Sequence, residues 1–509
     1  MKLSLLIPAL TAAVSLPCFA ASLQGRIVDA VTGTGIPDAL VTVGEQVLTA
    51  NTAGSFPIEG EGQTIAVRAQ GYRAARYAPT QVTALHETLP LTPFIPRALY
   101  LSVYGIGSGP LREGALRLAH KGFINALVID VKGDRGLIPY PSAVPLARTD
   151  GARQMTTIRS LADLVTGLHR DGLYTIARIV VFKDSPLATT RSDLAVHRAD
   201  GQLYRDQEGL AWTDPFREEV WNYNIAIARE AAEAGFDEVQ FDYVRFPDIA
   251  ASLRFSRAPD ETARTEAIEG FLKEARRQLA RFNVFVAVDI FGYVCWNAND
   301  TGIGQQLENI AAIADYVSPM LYPSCFQYGI PNCRNPVANP YEVIHSTLEN
   351  AQRRANVPAR HFRPWIQAFR DYAFDRRVFD AGAVQNQIQA AADSGSDGWM
   401  LWNPRNRYEG LFPLPGMRGM GFLLSPSSAA SFGRANTTPG TCDADHCNGA
   451  LFAVHQTRRP GLPQLRVGCS VPELLMQTGE SAGIEQQEPA VIHASTSCAR
   501  RPSRRDGNS

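Results

Sequence analysis

The sequence is poor in the residues that many enzyme classes require. Its nine histidines in 509 residues do not fall at the ends of apolar, strand-like runs, and no HxH or HExxH occurs. A zinc amidohydrolase or deacetylase therefore lacks its usual ligands. No CxxC pair exists, which argues against a zinc knuckle. No GxSxG elbow marks a serine-triad hydrolase, and no glycine-rich phosphate loop follows an apolar run. The formal net charge is −1, so nothing electrostatic points to nucleic acid or an anionic membrane. After the N-terminus no apolar stretch reaches about 18 residues, and no integral membrane span is expected. An acid-only Mg²⁺ or Ca²⁺ site on Asp130 and Asp134 is the weaker option. The reading preferred here needs no metal and no other cofactor.

What is present begins with an export signal. Lys2 supplies a positive start, Leu3 to Pro17 an apolar core, and Cys18-Phe-Ala20 a small-x-small cleavage site before Ala21. A signal-peptide region over residues 1–21 implies a periplasmic or secreted protein in which disulfides are permitted. Of the seven cysteines that follow, Cys325 and Cys333 share one Pro/Asn-rich loop and are near enough to pair, as are Cys442 and Cys447. Cys295, Cys469 and Cys498 are unassigned, and connectivity stays open.

Residues 22–92 alternate short β-like runs with Gly, Asn and Asp turns and predict a small all-β sandwich. From 97 to 424 eight apolar runs alternate with amphipathic stretches. The predicted strands are Ala98–Tyr104, Ile124–Val131, Tyr174–Phe182, Glu238–Val244, Val284–Phe291, Tyr316–Tyr322, Pro364–Phe369 and Gly398–Trp402. The helical stretches are 158–170, 218–234, 262–281, 340–355 and 380–393. This pattern predicts an α/β fold, a (β/α)8 TIM barrel. Residues 426–509 are rich in Ser, Pro, Gly, Arg and Gln and predict a low-order C-terminal tail.

In such a barrel chemistry sits at the carboxyl ends of the strands. The second predicted strand ends with Asp130 and Lys132, the fourth with Asp242, and the fifth with Asp289. An ionisable group inside an apolar strand needs a partner or a task. Strand alternation lets all three aspartates face the lumen, with Val128, Gln240 and Ala287 beneath them. Paired carboxylates are what glycoside hydrolysis uses, one as proton donor and one as nucleophile or cation stabiliser. Neighbouring strands lie about 4.8 Å apart. Asp242 and Asp289 are thus expected roughly 5–7 Å from each other, nearer the retaining than the inverting separation. Arg245, Tyr322, Gln367 and Trp402 are expected to line the cleft, with Asp130 and Lys132 holding substrate or tuning the pair.

Two resemblances follow from particular segments. The spacing of Gly25, Asp29, Thr32, Gly33, Ile36, Ala39 and Val41 resembles the opening of carboxypeptidase-regulatory-like β-sandwich modules. That implies an accessory domain, either a spacer or stability element or a glycan binder. Asn125-Ala-Leu-Val-Ile-Asp-Val-Lys132, Ala177-Arg-Ile-Val-Val-Phe-Lys183, Phe236-Asp-Glu-Val-Gln-Phe-Asp-Tyr-Val-Arg-Phe-Pro247, Asp289-Ile-Phe-Gly292, Asp315-Tyr-Val-Ser-Pro-Met-Leu-Tyr-Pro323 and Gly398-Trp-Met-Leu-Trp-Asn403 together resemble a bacterial family of glycosyl-hydrolase-type barrels of largely unknown activity. Its likeness to amylase-type barrels implies a nucleophile at Asp242 and a proton donor at Asp289. The amylase-type arginine two residues before the nucleophile is replaced by Gln240, which leaves Arg245 as the candidate partner. The expected protein is an exported glycoside hydrolase acting on a cell-envelope or extracellular polysaccharide. The alternatives are a non-catalytic glycan-binding barrel and an envelope-polymer assembly factor.

Overall fold

The computed structural model describes residues 23–58 and 62–412. The expected signal peptide and C-terminal tail lie outside the described residues. Seven short strands come first: β1 (Leu23–Asp29), β2 (Leu40–Val43), β3 (Gln46–Thr49), β4 (Ser55–Ile58), β5 (Ile65–Arg68), β6 (Ala75–Tyr77) and β7 (Thr88–Leu91). They form two sheets, ordered β4-β1-β7 and β3-β2-β5-β6. Ile27, Val41, Phe56, Val67 and Leu89 are buried in one core with their neighbours, the inward-facing set expected of alternating strands.

Eight parallel strands then close a barrel: β8 (Arg97–Leu101), β9 (Ala126–Lys132), β10 (Tyr174–Val180), β11 (Glu238–Asp242), β12 (Phe285–Phe291), β13 (Tyr316–Met320), β14 (Trp365–Gln367) and β15 (Trp399–Trp402). Each corresponds to a predicted strand. The first stops early because Ser102 turns the chain into a helix, its hydroxyl accepting from the Gly105 N–H. Helices Leu161–Arg170, Glu218–Glu233, Glu261–Leu279, Pro340–Ala355 and Ala381–Asp393 match the amphipathic stretches. Ser160, Asp260 and Asp380 cap three of them through side-chain oxygens.

The strands divide their side chains as alternation requires. Ala126, Val128, Ile176, Phe285, Ala287, Tyr316 and Met400 pack in the lumen, while Leu127, Ile129, Ile179, Val239, Val286 and Val288 pack against the helices. At the amino end of the barrel Arg363 bridges Glu238 (2.6 Å) and Asp397 (2.7 Å) and lies over the Tyr316 ring. The β-sandwich docks on this end. Gly71 N–H donates to the Tyr316 hydroxyl (3.1 Å), Arg76 to the Phe282 carbonyl (2.7 Å), and Arg73 to the Gly172 carbonyl (2.9 Å). Gln70 bonds His361 Nδ1 (2.7 Å) and the Asp315 carbonyl. These barrel residues sit just before or at the start of strands, so the sandwich closes the face opposite the aspartates.

Cys325 is disulfide-bonded, while Cys333 is a buried free thiol. Of the pairings left open, Cys325–Cys333 is therefore not the one formed. Among the described residues no helix is long and apolar enough to cross a membrane.

Candidate active site

The carboxyl end of the barrel gathers three aspartates around one guanidinium, with a fourth beside them. Arg178 lies in the lumen phase of β10, two residues above Ile176. Its Nη1 donates to Asp130 Oδ1 (2.7 Å) and its Nη2 to Asp134 Oδ1 (2.8 Å). Its Nε and Nη2 both reach Asp242 Oδ2, at 2.9 and 2.5 Å. Asp289 stands beside Asp242: β11 and β12 pair Gln240 with Ala287 and Phe241 with Val288, so the next step sets the two aspartates side by side. Both border one depression, together with Tyr243, Arg245, Phe291, Gln305 and Met320.

The two carboxyl groups have unequal surroundings. Asp242 is the anion of an ion pair, with the Tyr243 N–H donating to its second oxygen at 2.5 Å. Tyr243 itself sits at φ +50°, a left-handed conformation that costs a bulky residue energy and that clusters at functional sites. Asp289 receives only the Trp365 indole N–H, on Oδ1 at 2.7 Å. Its Oδ2 is buried with no hydrogen-bond partner among the described residues. Burial, and then the neighbouring Asp242, raise its pKa well above the ordinary carboxyl value, with the charge of Arg178 and then the Trp365 hydrogen bond pulling the other way.

The outer acids differ again. Burial pushes Asp130 up to about 7 against the pull of Arg178, and its Oδ2 accepts from the Tyr100 hydroxyl at 2.7 Å. Burial also opposes ionisation of Asp134, but Arg178 and Lys183 outweigh it and hold its pKa below the usual value.

Of the residues expected from sequence, Asp130, Asp242 and Asp289 converge as anticipated, and Arg245 joins the depression. Arg245 donates to Asp248 (2.9 Å) and lies over the Trp212, Tyr243 and Phe291 rings. Tyr322 and Trp402 stack at 5.4 Å between centroids, and burial followed by Asp289 and Asp242 drives the Tyr322 pKa up.

Lys132 and Gln367 are elsewhere engaged. The register of β9 against β10 slips: Arg178 faces Asp130, but Ile179 faces Lys132. This one-residue bulge turns Lys132 out of the lumen. Its ammonium meets Asp184 (2.7 Å), Asn224 (3.0 Å) and the Val180 carbonyl (2.7 Å), wholly buried beneath the helices. Gln367 spends its amide on Ser324 and the Phe369 carbonyl, which fixes the loop after β13.

Arg178 was the residue that sequence reasoning missed. The signal was there, since an arginine in the lumen phase of an otherwise apolar strand demands carboxylate partners. It takes the place for which Arg245 was the candidate.

The family model described as DUF4015, putative glycosyl hydrolase domain, matches residues 98–408. Similar solved structures include a hypothetical protein from Ruminiclostridium thermocellum (38% identity over 38% of this chain and 96% of that one, TM-score 0.34). The PgaB (BpsB) glycoside hydrolase domain from Bordetella bronchiseptica is 15% identical over 61% and 95%, TM-score 0.44. A chitinase from Chromobacterium violaceum is 12% identical over 62% and 96%, TM-score 0.37. No curated protein matches the chain.

Proposed function

The chain belongs to the DUF4015 family of putative glycosyl hydrolase domains, and from that premise we propose that it is an exported glycosidase that cleaves a cell-envelope or extracellular polysaccharide with Asp242 and Asp289. The observation that carries this reading is the inequality of two neighbouring carboxyl groups in one depression. Asp242 is ion-paired with Arg178 at 2.5 Å, while Asp289 makes no ion pair among the described residues and has a raised pKa. Environments that separate the ionisation of two acids assign the proton donor and the nucleophile.

In the proposed reaction Asp289 gives its proton to the glycosidic oxygen as the leaving sugar departs. Asp242 attacks the anomeric carbon, or stabilises the positive charge forming there. Asp289, now a carboxylate, takes a proton from the water that completes hydrolysis. Side-by-side placement on adjacent strands suits direct attack and retention of configuration better than the wider spacing that an inverting water requires. Arg178 fixes the Asp242 carboxylate, and Arg245, Tyr322 and Trp402 border the substrate.

The test is reducing-end release from a panel of peptidoglycan, chitin-type chains, glucans and bacterial exopolysaccharides, with wild type and Asp242→Asn in parallel. Release by the wild type alone is expected. Binding of a glycan without release, equal in both proteins, would overturn the assignment in favour of a non-catalytic binding barrel.

A further inference from the structure

Between β11 and β12 the hydrogen-bonded ladder stops one step short of the two acids, its last paired residues being Phe241 and Val288. Below that point the odd-numbered residues of this segment turn their peptide groups toward β12, beginning with the Asp237 carbonyl, which accepts from the Phe285 N–H at 3.1 Å. Bonds in a parallel ladder recur at even spacing. The next step would have the Tyr243 N–H donate to the Asp289 carbonyl and the Tyr243 carbonyl accept from the Phe291 N–H. Tyr243 does neither. At φ +50° its N–H goes to Asp242 Oδ1, and its carbonyl accepts from Phe182, just past β10, at 3.3 Å.

One side chain takes both of the partners that Tyr243 gives up. Gln305 Nε2 donates to the Asp289 carbonyl and to the Val244 carbonyl, each at 3.2 Å. Its Oε1 accepts from the Phe291 N–H at 3.1 Å. The carboxamide therefore stands where the Tyr243 peptide group would stand in a continued ladder. Gln305 is buried, and both of its N–H groups and its oxygen are spent on main chain. The loop that carries it is itself anchored. The Phe246 N–H donates to the Ile303 carbonyl at 2.8 Å. The Gly304 N–H donates to Asp300 Oδ2 at 2.9 Å, a carboxylate that Arg264 holds at 2.7 Å. Gly304 is at φ +85°, where a Cβ would stand 2.9 Å from Ile268, so glycine lets the loop come this close.

We propose that Gln305 is a positioning residue of the glycosidase: its carboxamide closes the gap in the ladder and holds the Asp289 main chain at a fixed distance from the end of β11 that carries Asp242. The inference rests on the glycosidase reading above. Two carboxyl groups that act on one bond tolerate little drift, since a misplacement of about 1 Å can cost on the order of a hundredfold in rate.

The experiment uses whichever panel glycan the wild type cleaves. It compares wild type, Gln305→Met, Gln305→Glu and Asn125→Leu, each checked for a native melting transition. Methionine keeps the length of the side chain without the amide. Glutamate keeps the acceptor for Phe291 but has no N–H for the two carbonyls. Asn125 is the control, because its carboxamide also bridges main chain, accepting from the Arg97 N–H and donating to the Ile95 carbonyl, at the far end of the barrel. Both Gln305 variants are expected to lose kcat on the order of a hundredfold with KM within about twofold of wild type, and Asn125→Leu to keep both. Asp289 faces Asp242 and Glu238 from β11, Arg178 from β10 and Tyr322 from the loop after β13, with Arg245 in the same depression. Drift from Asp242 weakens the like charge that raises the Asp289 pKa, so the alkaline limb of the kcat/KM profile should move to lower pH in Gln305→Met. Wild-type kcat in a folded Gln305 variant, an unmoved limb, an equal loss in Asn125→Leu, or failure of both Gln305 variants to fold overturns the positioning role alone. Failure of the wild type to cleave any glycan of the panel overturns the glycosidase reading, and the positioning role with it.

Discussion

At the scale of single residues, the account turns on how one arginine and one tryptophan divide two carboxyl groups. Arg178 faces three aspartates with its guanidinium almost wholly buried. Removing one partner from a buried ionic cluster leaves uncompensated charge and typically costs about 3–5 kcal/mol. Arg178→Met is expected to lose stability on that scale, read from denaturant midpoints, and to lose glycan cleavage in the fraction that remains folded. Trp365 acts on the other carboxyl. Its indole N–H stabilises the ionised form of Asp289 and so opposes the rise in pKa. The proton donor works only while protonated, so activity should fall as pH rises through the Asp289 pKa. Trp365→Phe removes the bond, raises that pKa further, and should move the alkaline limb of the kcat/KM profile to higher pH. An unmoved or lowered limb would show that Asp289 is not the group that titrates.

At the scale of elements, the bulge in β9 decides which residues belong to the site. A regular strand would put Lys132 in the lumen, two positions above Asp130. The extra residue at Val131 hands Lys132 to Asp184, which also caps the helix Ser185–Thr190 through the Leu187 N–H. Lys132→Met is therefore expected to lower the melting temperature while leaving KM for the cleaved glycan unchanged. A substrate-binding lysine would do the reverse. The same bulge shows where sequence reading reaches its end. Strand positions, helix positions and the inward aspartates were legible, because period-2 alternation and apolar content are local. The slip at Val131 was not, because register is set by the partner strand. For a related reason the partners of Gln367 are not legible locally: Ser324, more than forty residues away, claims its amide. Arg178 was readable in principle, as a charge in the lumen phase of an apolar strand.

At the scale of the whole molecule, the β-sandwich and the carboxylate cluster occupy opposite ends of the barrel. The sandwich contacts the segments that precede β10, β12 and β13 through Arg73, Arg76 and Gln70, and Asn283 returns bonds to the Val67 and Ala75 carbonyls. Such a contact links the stability of the two parts without touching the site. The double substitution Arg73→Ala with Arg76→Ala should lower the melting temperature by a few degrees, since it removes about 1–2 kcal/mol of interface hydrogen bonding, and leave KM unaltered. A raised KM with unchanged melting would instead give the sandwich a part in holding glycan. In the proposed function two adjacent carboxyl groups, one ion-paired with Arg178 and one without an ion pair, do the chemistry. The measurement that tests it most directly is kcat/KM on the cleaved glycan for wild type, Asp242→Asn and Asp289→Asn, each shown to be folded. The account predicts that either substitution lowers kcat/KM by at least about a thousandfold, the order expected when a nucleophile or general acid is removed. Near-wild-type activity in either folded variant would contradict it.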